Sequence, residues 1–131
     1  MFIDTSGLMC LFDVREQRHS SAVKQFDSAT VRLTHNYVLA EFVALTIARR
    51  APLNDALHFV EAISSGAEIE LVWVSRELHA RAVKLLLDRG DKAWSLCDAV
   101  SFVVMSDRRI TESLTTDRHF DQAGFVRLLN H

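Results

Sequence analysis

The stretch ITESLTTDRHF, residues 110–120, reads as a strand over its first seven residues and then meets an acid, Asp117, where the strand stops. The same ending recurs at the start of the sequence, where MFID, residues 1–4, is an apolar run closed by Asp4. Two strands that end on carboxylates suggest a shared site, because open parallel sheets carry their functional groups just beyond the carboxyl ends of their strands. Taken singly, each aspartate also suits a helix N-cap or a turn.

Working outward, the elements alternate. A helical spacing of Ala22, Val23 and Phe26 (residues 20–29) precedes the strand-like TVRLTH, residues 30–35. A helix is expected from Asn36, as N-cap, until Pro52 prevents its continuation. Pro52 fits the first turn of a second helix with Leu53, Leu57, Val60 and Ile63 as its inner stripe. IELVWV, residues 69–74, is the clearest strand, and Ser75 caps a helix with Leu78, Ala82, Leu85 and Leu86 inward that stops near Gly90. A helix over 96–107, the strand ITESLTT and a short strand FVRLL, residues 125–129, complete the order. No repeat or linker interrupts it, which predicts one α/β domain over residues 1–131 with a mainly parallel sheet.

Composition limits the function classes. With 131 residues, 49% hydrophobic and 24% charged, the chain can bury an ordinary core. Its longest apolar stretch, YVLAEFVALTIA, is interrupted by Glu41, which argues against a membrane span, and an acid at position 4 does not suit a signal peptide, so the cytoplasm is expected. Cys10 and Cys97 lie in apolar surroundings without zinc-like spacing and read as core thiols. The formal charge of −2 is unusual for a nucleic-acid binder, but it becomes +2 if four carboxylates are set aside as ligands of cations.

Two further acids join the pair. Glu41 shares a helical side with Val38 and Leu45, and a carboxylate facing inward needs a partner; a head in water at the edge of the stripe is the alternative. Asp98 completes an S-x-x-D capping box with Ser95, stapled by Trp94 against Ala99, and the first turn of a helix also favours an ionised carboxylate. If the four converge, each pair about 4 Å apart costs roughly 4 kcal/mol at an effective dielectric of ~20. A bound divalent cation offsets that cost, and an all-oxygen ligand set selects Mg²⁺ or Mn²⁺. Such ions suit phosphodiester hydrolysis by an activated water. His119 reads as a surface loop histidine, and Asp121 as a capping or solvated acid. Arg76, Arg81, Lys84, Arg89, Lys92, Arg108, Arg109 and Arg118 read mostly as a solvated face, some of them able to line a phosphate groove.

MFIDTSG, YVLAE, LCDAVSF and LTTDRHFDQAGF stand in the order and at the separations found in PIN-domain ribonucleases, and the chain resembles a VapC-type toxin of that family over essentially its full length. The resemblance implies a three-layer α/β/α sandwich with a mainly parallel four- to five-stranded sheet. It implies a Mg²⁺- or Mn²⁺-dependent endoribonuclease acting on RNA such as tRNA or rRNA, a homodimer, and a cognate antitoxin. By position, Asp4, Glu41, Asp98 and Asp117 match the acidic quartet, both catalytic and metal-binding, while Ser6, in the turn after the first strand, and Thr116 match hydroxyl positions behind the ligands. Two other classes compete: a catalytically silent interaction module of the same fold, and another Mg²⁺-dependent phosphate-handling hydrolase. The TSG after Asp4 gives neither a DxD pair nor paired receiver acids, which disfavours the latter.

Overall fold

The computed structural model describes residues 1–129; the expected domain boundary at 131 lies outside the described residues. Twelve elements follow one another: β1 (Phe2–Ile3), α1 (Thr5–Phe12), α2 (His19–Ser28), β2 (Leu33–His35), α3 (Asn36–Ala48), α4 (Leu53–Ser65), β3 (Glu70–Val72), α5 (Arg76–Asp88), α6 (Leu96–Asp107), β4 (Glu112–Leu114), α7 (His119–Gln122) and β5 (Val126–Arg127). The five strands pair in parallel in the order β3-β2-β1-β4-β5. Phe2 stands opposite both Leu33 and Ser113, and Ile3 opposite Leu114, so β1 is central and β4 is its neighbour. Buried on both faces, β1 is continuously apolar rather than alternating.

The chain leaves β1 in one direction through β2 and β3, then returns to the far side of β1 for β4 and β5. Right-handed crossovers therefore put α1 to α4 on one face and α5 and α6 on the other, which gives the α/β sandwich expected. The reversal falls between β1 and β4, the switch point at which open α/β sheets form their ligand crevice beyond the strand ends. No helix among the described residues is long and apolar enough to cross a membrane.

Four local expectations are corrected. TSG does not form a turn: it opens helix α1, which buries Leu8, Met9 and Cys10. Gly7 allows the helix this position, because a Cβ there would lie 2.0 Å from the carbonyl oxygen of Leu114 on β4. The N-cap of α3 is His35 rather than Asn36. The Nδ1 of His35 accepts from the Val38 N–H at 3.3 Å, while Asn36 uses its amide oxygen to accept from the Val74 N–H at 2.7 Å. On α4 the inward residues are Ala56 and Ile63, and Leu53 and Leu57 are exposed, because the helix is turned away from the expected stripe. The strands are shorter than the sequence suggests: β4 stops at Leu114, which leaves Thr115 and Thr116 in the loop that leads to Asp117.

His35 is fully buried, and its bonding fixes its tautomer. The Ser101 hydroxyl donates to the Cys97 carbonyl at 2.8 Å, so its oxygen is left to accept from Nε2–H of His35 at 2.9 Å. Nδ1 is then the bare nitrogen that caps α3, and burial pushes the imidazole pKa down to about 3.

Candidate metal centre

Asp4 sits where β1 gives way to α1, and only 4% of its surface is accessible. Its N–H donates to the Leu114 carbonyl at 3.2 Å, which locks the end of β1 against β4. Burial raises the Asp4 pKa to about 7; the Thr5 N–H opposes the rise, and the charges of Asp98 and Glu41 add to it. The Thr115 hydroxyl donates to Oδ2 of Asp4 at 3.0 Å. With its one proton committed there, the Thr115 oxygen accepts from the Asp117 N–H at 3.0 Å and from the Ser6 hydroxyl at 3.1 Å. The Ser6 oxygen in turn accepts from the Thr116 N–H at 2.9 Å. Ser6, in α1 and not in a turn, thus ties α1 to the loop that carries Asp117. The hydroxyl expected from Thr116 comes instead from Thr115, and Thr116 contributes its main chain.

Across the crevice, Ser95 and Asp98 form the expected capping box at the start of α6. The Asp98 N–H donates to Ser95 Oγ, and the Ser95 N–H donates to Asp98 Oδ2, each at 3.0 Å. Trp94 packs edge-on against Phe102, with ring centroids 5.0 Å apart, and gives its indole N–H to Gln122 at 3.1 Å. The capping carboxylate of Asp98 also meets His119, whose Nδ1 lies 2.8 Å from Oδ2 of Asp98 and 3.5 Å from Oδ2 of Asp117. The His119 N–H donates to Oδ1 of Asp117 at 2.9 Å, holding that half-buried acid over the pocket.

Glu41 corrects its expected burial. The inner stripe of α3 runs through Val38, Leu39, Phe42 and Thr46, so Glu41 lies off it and is exposed. Its carboxylate nevertheless belongs to the pocket: ligand atoms of Asp4, Glu41 and Cys97 all lie within 4.8 Å of one another. Those of Asp98, Asp117 and His119 form a second such triplet. Asp4 links the two triplets, since it feels the charges of both Glu41 and Asp98. Burial raises the Cys97 thiol pKa, helped by the charges of Glu41, Asp4 and Asp98 and by a hydrogen bond to Glu41.

The structure therefore brings together all four acids named from sequence, and it adds Thr115, Cys97 and His119. His119 corrects its reading as a surface loop histidine, being half-buried in α7; Cys97 is the buried thiol expected, and its sulfur also lies beside Asp4 and Glu41. Each adjoins an acid in sequence, Cys97 directly before Asp98 and His119 two residues after Asp117, which was the available signal. Arg81, Lys84, Arg89 and Arg108 are engaged elsewhere, with Asp107, Asp88, Asp91 and Glu70. A buried carboxylate pushed towards neutrality, with the charges of further acids acting on it, fits a divalent cation.

Comparison with known proteins gives a consistent picture. A family model described as PIN domain matches residues 1–126. The 23S rRNA-specific endonuclease VapC20 of Mycobacterium tuberculosis is 30% identical over 129 residues, covering 98% of this chain and 97% of that protein. Ribonuclease VapC26 of the same organism is 31% identical over 123 residues, covering 92% and 89%. The crystal structure of Mycobacterium tuberculosis VapC20, described as a Sarcin-Ricin loop cleaving toxin, aligns with a TM-score of 0.87 at 30% identity over 95% of both chains.

Proposed function

Because the chain belongs to the PIN-domain family, we propose that it is a metal-dependent endoribonuclease acting as the toxin of a toxin–antitoxin pair, with Asp4, Glu41, Asp98 and Asp117 as its catalytic and metal-binding acids. One observation carries this reading: four carboxylates from four separate segments meet at the β1/β4 switch point. The 23S rRNA named for VapC20 is the proposed substrate class, and Mg²⁺ or Mn²⁺ the proposed ion. A homodimer, a cognate antitoxin and a cytoplasmic location complete the proposal.

The residues divide the work by burial. Asp4 and Asp98, at 4% and 6% exposure, are the inner ligands, and each is oriented by its own hydrogen bonds: Asp4 by Thr115, Asp98 by Ser95 and His119. Asp117 and Glu41 lie nearer solvent, where a carboxylate can align an attacking water towards phosphorus. A bound divalent cation supplies what the side chains lack, positive charge against the phosphate oxygens and the departing oxygen. The Thr115 hydroxyl, held in turn by Ser6 and the Asp117 N–H, donates to Oδ2 of Asp4 and fixes the orientation of that carboxyl group. Attack by water yields a 5′-phosphate and a 3′-hydroxyl and leaves the ribose 2′-hydroxyl unused.

The test is cleavage of a 23S rRNA fragment that carries the sarcin–ricin loop, with Mg²⁺ or Mn²⁺ and with EDTA, by the protein and by Asp98→Asn. The expected outcome is metal-dependent cutting that falls at least about 100-fold in the variant, a loss of ~2.7 kcal/mol of transition-state stabilisation. Cutting that survives EDTA or the substitution refutes the proposal.

A further inference from the structure

Two donors in the pocket are not oxygens, and one of them, the buried Cys97 thiol, has its sulfur within 4.8 Å of ligand atoms of Asp4 and Glu41. We propose that Cys97 is a metal ligand, and that the Asp4–Glu41–Cys97 end of the pocket takes a thiophilic divalent cation, zinc or its heavier congener cadmium, in preference to magnesium. This rests on the reading of the pocket as a metal site and goes beyond it by making the site selective.

The geometry supports the assignment. A tetrahedral ion bound at about 2.3 Å from sulfur and 2.0–2.2 Å from oxygen sets its ligand atoms about 3.5 Å apart. The sulfur and the two carboxylates already lie within 4.8 Å of one another, so modest side-chain rotation closes the set. Asp4 is the fixed member, held by Thr115, while Glu41, exposed on α3, is free to follow. Cys97 is itself buried in the first turn of α6, directly before Asp98. On coordination the S–H bond breaks heterolytically, its electron pair forms the metal–sulfur bond, and the proton passes to solvent. Soft sulfur raises affinity for zinc and cadmium, whereas magnesium gains nothing from it. Three protein ligands leave a fourth position open to water or a phosphate oxygen. The other cysteine, Cys10, is buried in α1 and belongs to neither triplet.

The experiment is a cadmium titration of the metal-free full chain, followed by thiolate-to-cadmium charge-transfer absorption, in the wild type, Cys10→Ser, Cys97→Ser and Cys97→Ala. The expected result is a band that saturates one-to-one in the wild type and Cys10→Ser and is absent from both Cys97 variants. Their cadmium affinity is expected to fall at least about tenfold, and by more than their Mn²⁺ affinity followed by electron paramagnetic resonance. Cadmium binding without the band in Cys10→Ser, where Cys97 is the sole thiol, overturns the proposal even if neither Cys97 variant folds; so does a band that survives in them. Mn²⁺ binding with no thiolate band refutes the Cys97 assignment alone, and a chain that binds neither ion refutes the metal-site reading as well.

Discussion

The hydroxyl of Thr115 has three bonds to satisfy and one proton with which to do it: it donates to Asp4 and accepts from Ser6 and the Asp117 N–H. Thr115→Val keeps the shape and removes all three. It leaves a buried carboxylate short of a donor and frees the loop that carries Asp117, so a cost of about 1–3 kcal/mol is expected in urea unfolding, with a 10- to 100-fold loss of Mn²⁺ affinity by calorimetry. Thr116→Val, whose side chain has no such duty, is the control, and equal losses in both would sink the assignment. Sequence could not separate these neighbours, because which threonine faces the pocket depends on the residue at which β4 stops. The acids were legible for the opposite reason. A carboxylate directly after an apolar strand, or on a greasy helix, is conspicuous by chemistry alone.

Helix α1 shows an element that local propensity hides. Thr5, Ser6 and Gly7 are poor helix formers and suggest a turn, yet packing of Leu8, Met9 and Cys10 into the core overrides them. Gly7 has a specific duty, since α1 rests on the Leu114 backbone. Gly7→Ala therefore pits an intrinsic gain in helix propensity of about 1 kcal/mol against a backbone collision that forces α1 off β4. The collision wins: a net loss of at least about 1–3 kcal/mol should appear as a lower urea midpoint at unchanged slope, and a midpoint equal to or above that of the wild type would contradict the packing described. The same element decides the site, because Asp4 and Ser6 both lie in its first turn or cap. At the other helix ends sequence fared better: the Ser95–Asp98 box and the Ser75 cap are both in place.

For the molecule as a whole, the pocket and the core have opposite demands on pH. Asp4 titrates at about 7 in the fold against 3.8 in the unfolded chain, so the fold holds its proton more tightly, and stability falls as pH rises through that window. His35 is lowered from 6.5 to about 3, so its contribution is full above pH 6.5 and is lost as pH falls towards 3. Between about pH 4 and 6.5 the two offset each other in the metal-free wild type. Asp4→Asn removes one of them: its stability relative to wild type should climb by up to ~4 kcal/mol from pH 4 to 8, and saturating Mn²⁺ at pH 8 should restore the wild type alone. A difference that does not change with pH would refute the buried-acid account. The sequence by itself determined the α/β order and singled out four acids as candidates for a metal site, because strand patterning, capping boxes and carboxylate chemistry are local properties of short segments. Only the tertiary structure decided that β1 stands beside β4, that Thr115 and not Thr116 orients Asp4, and that Cys97 and His119 enter the pocket. Those are matters of register and of approach between segments 21 to 111 residues apart, which no short window along the chain contains.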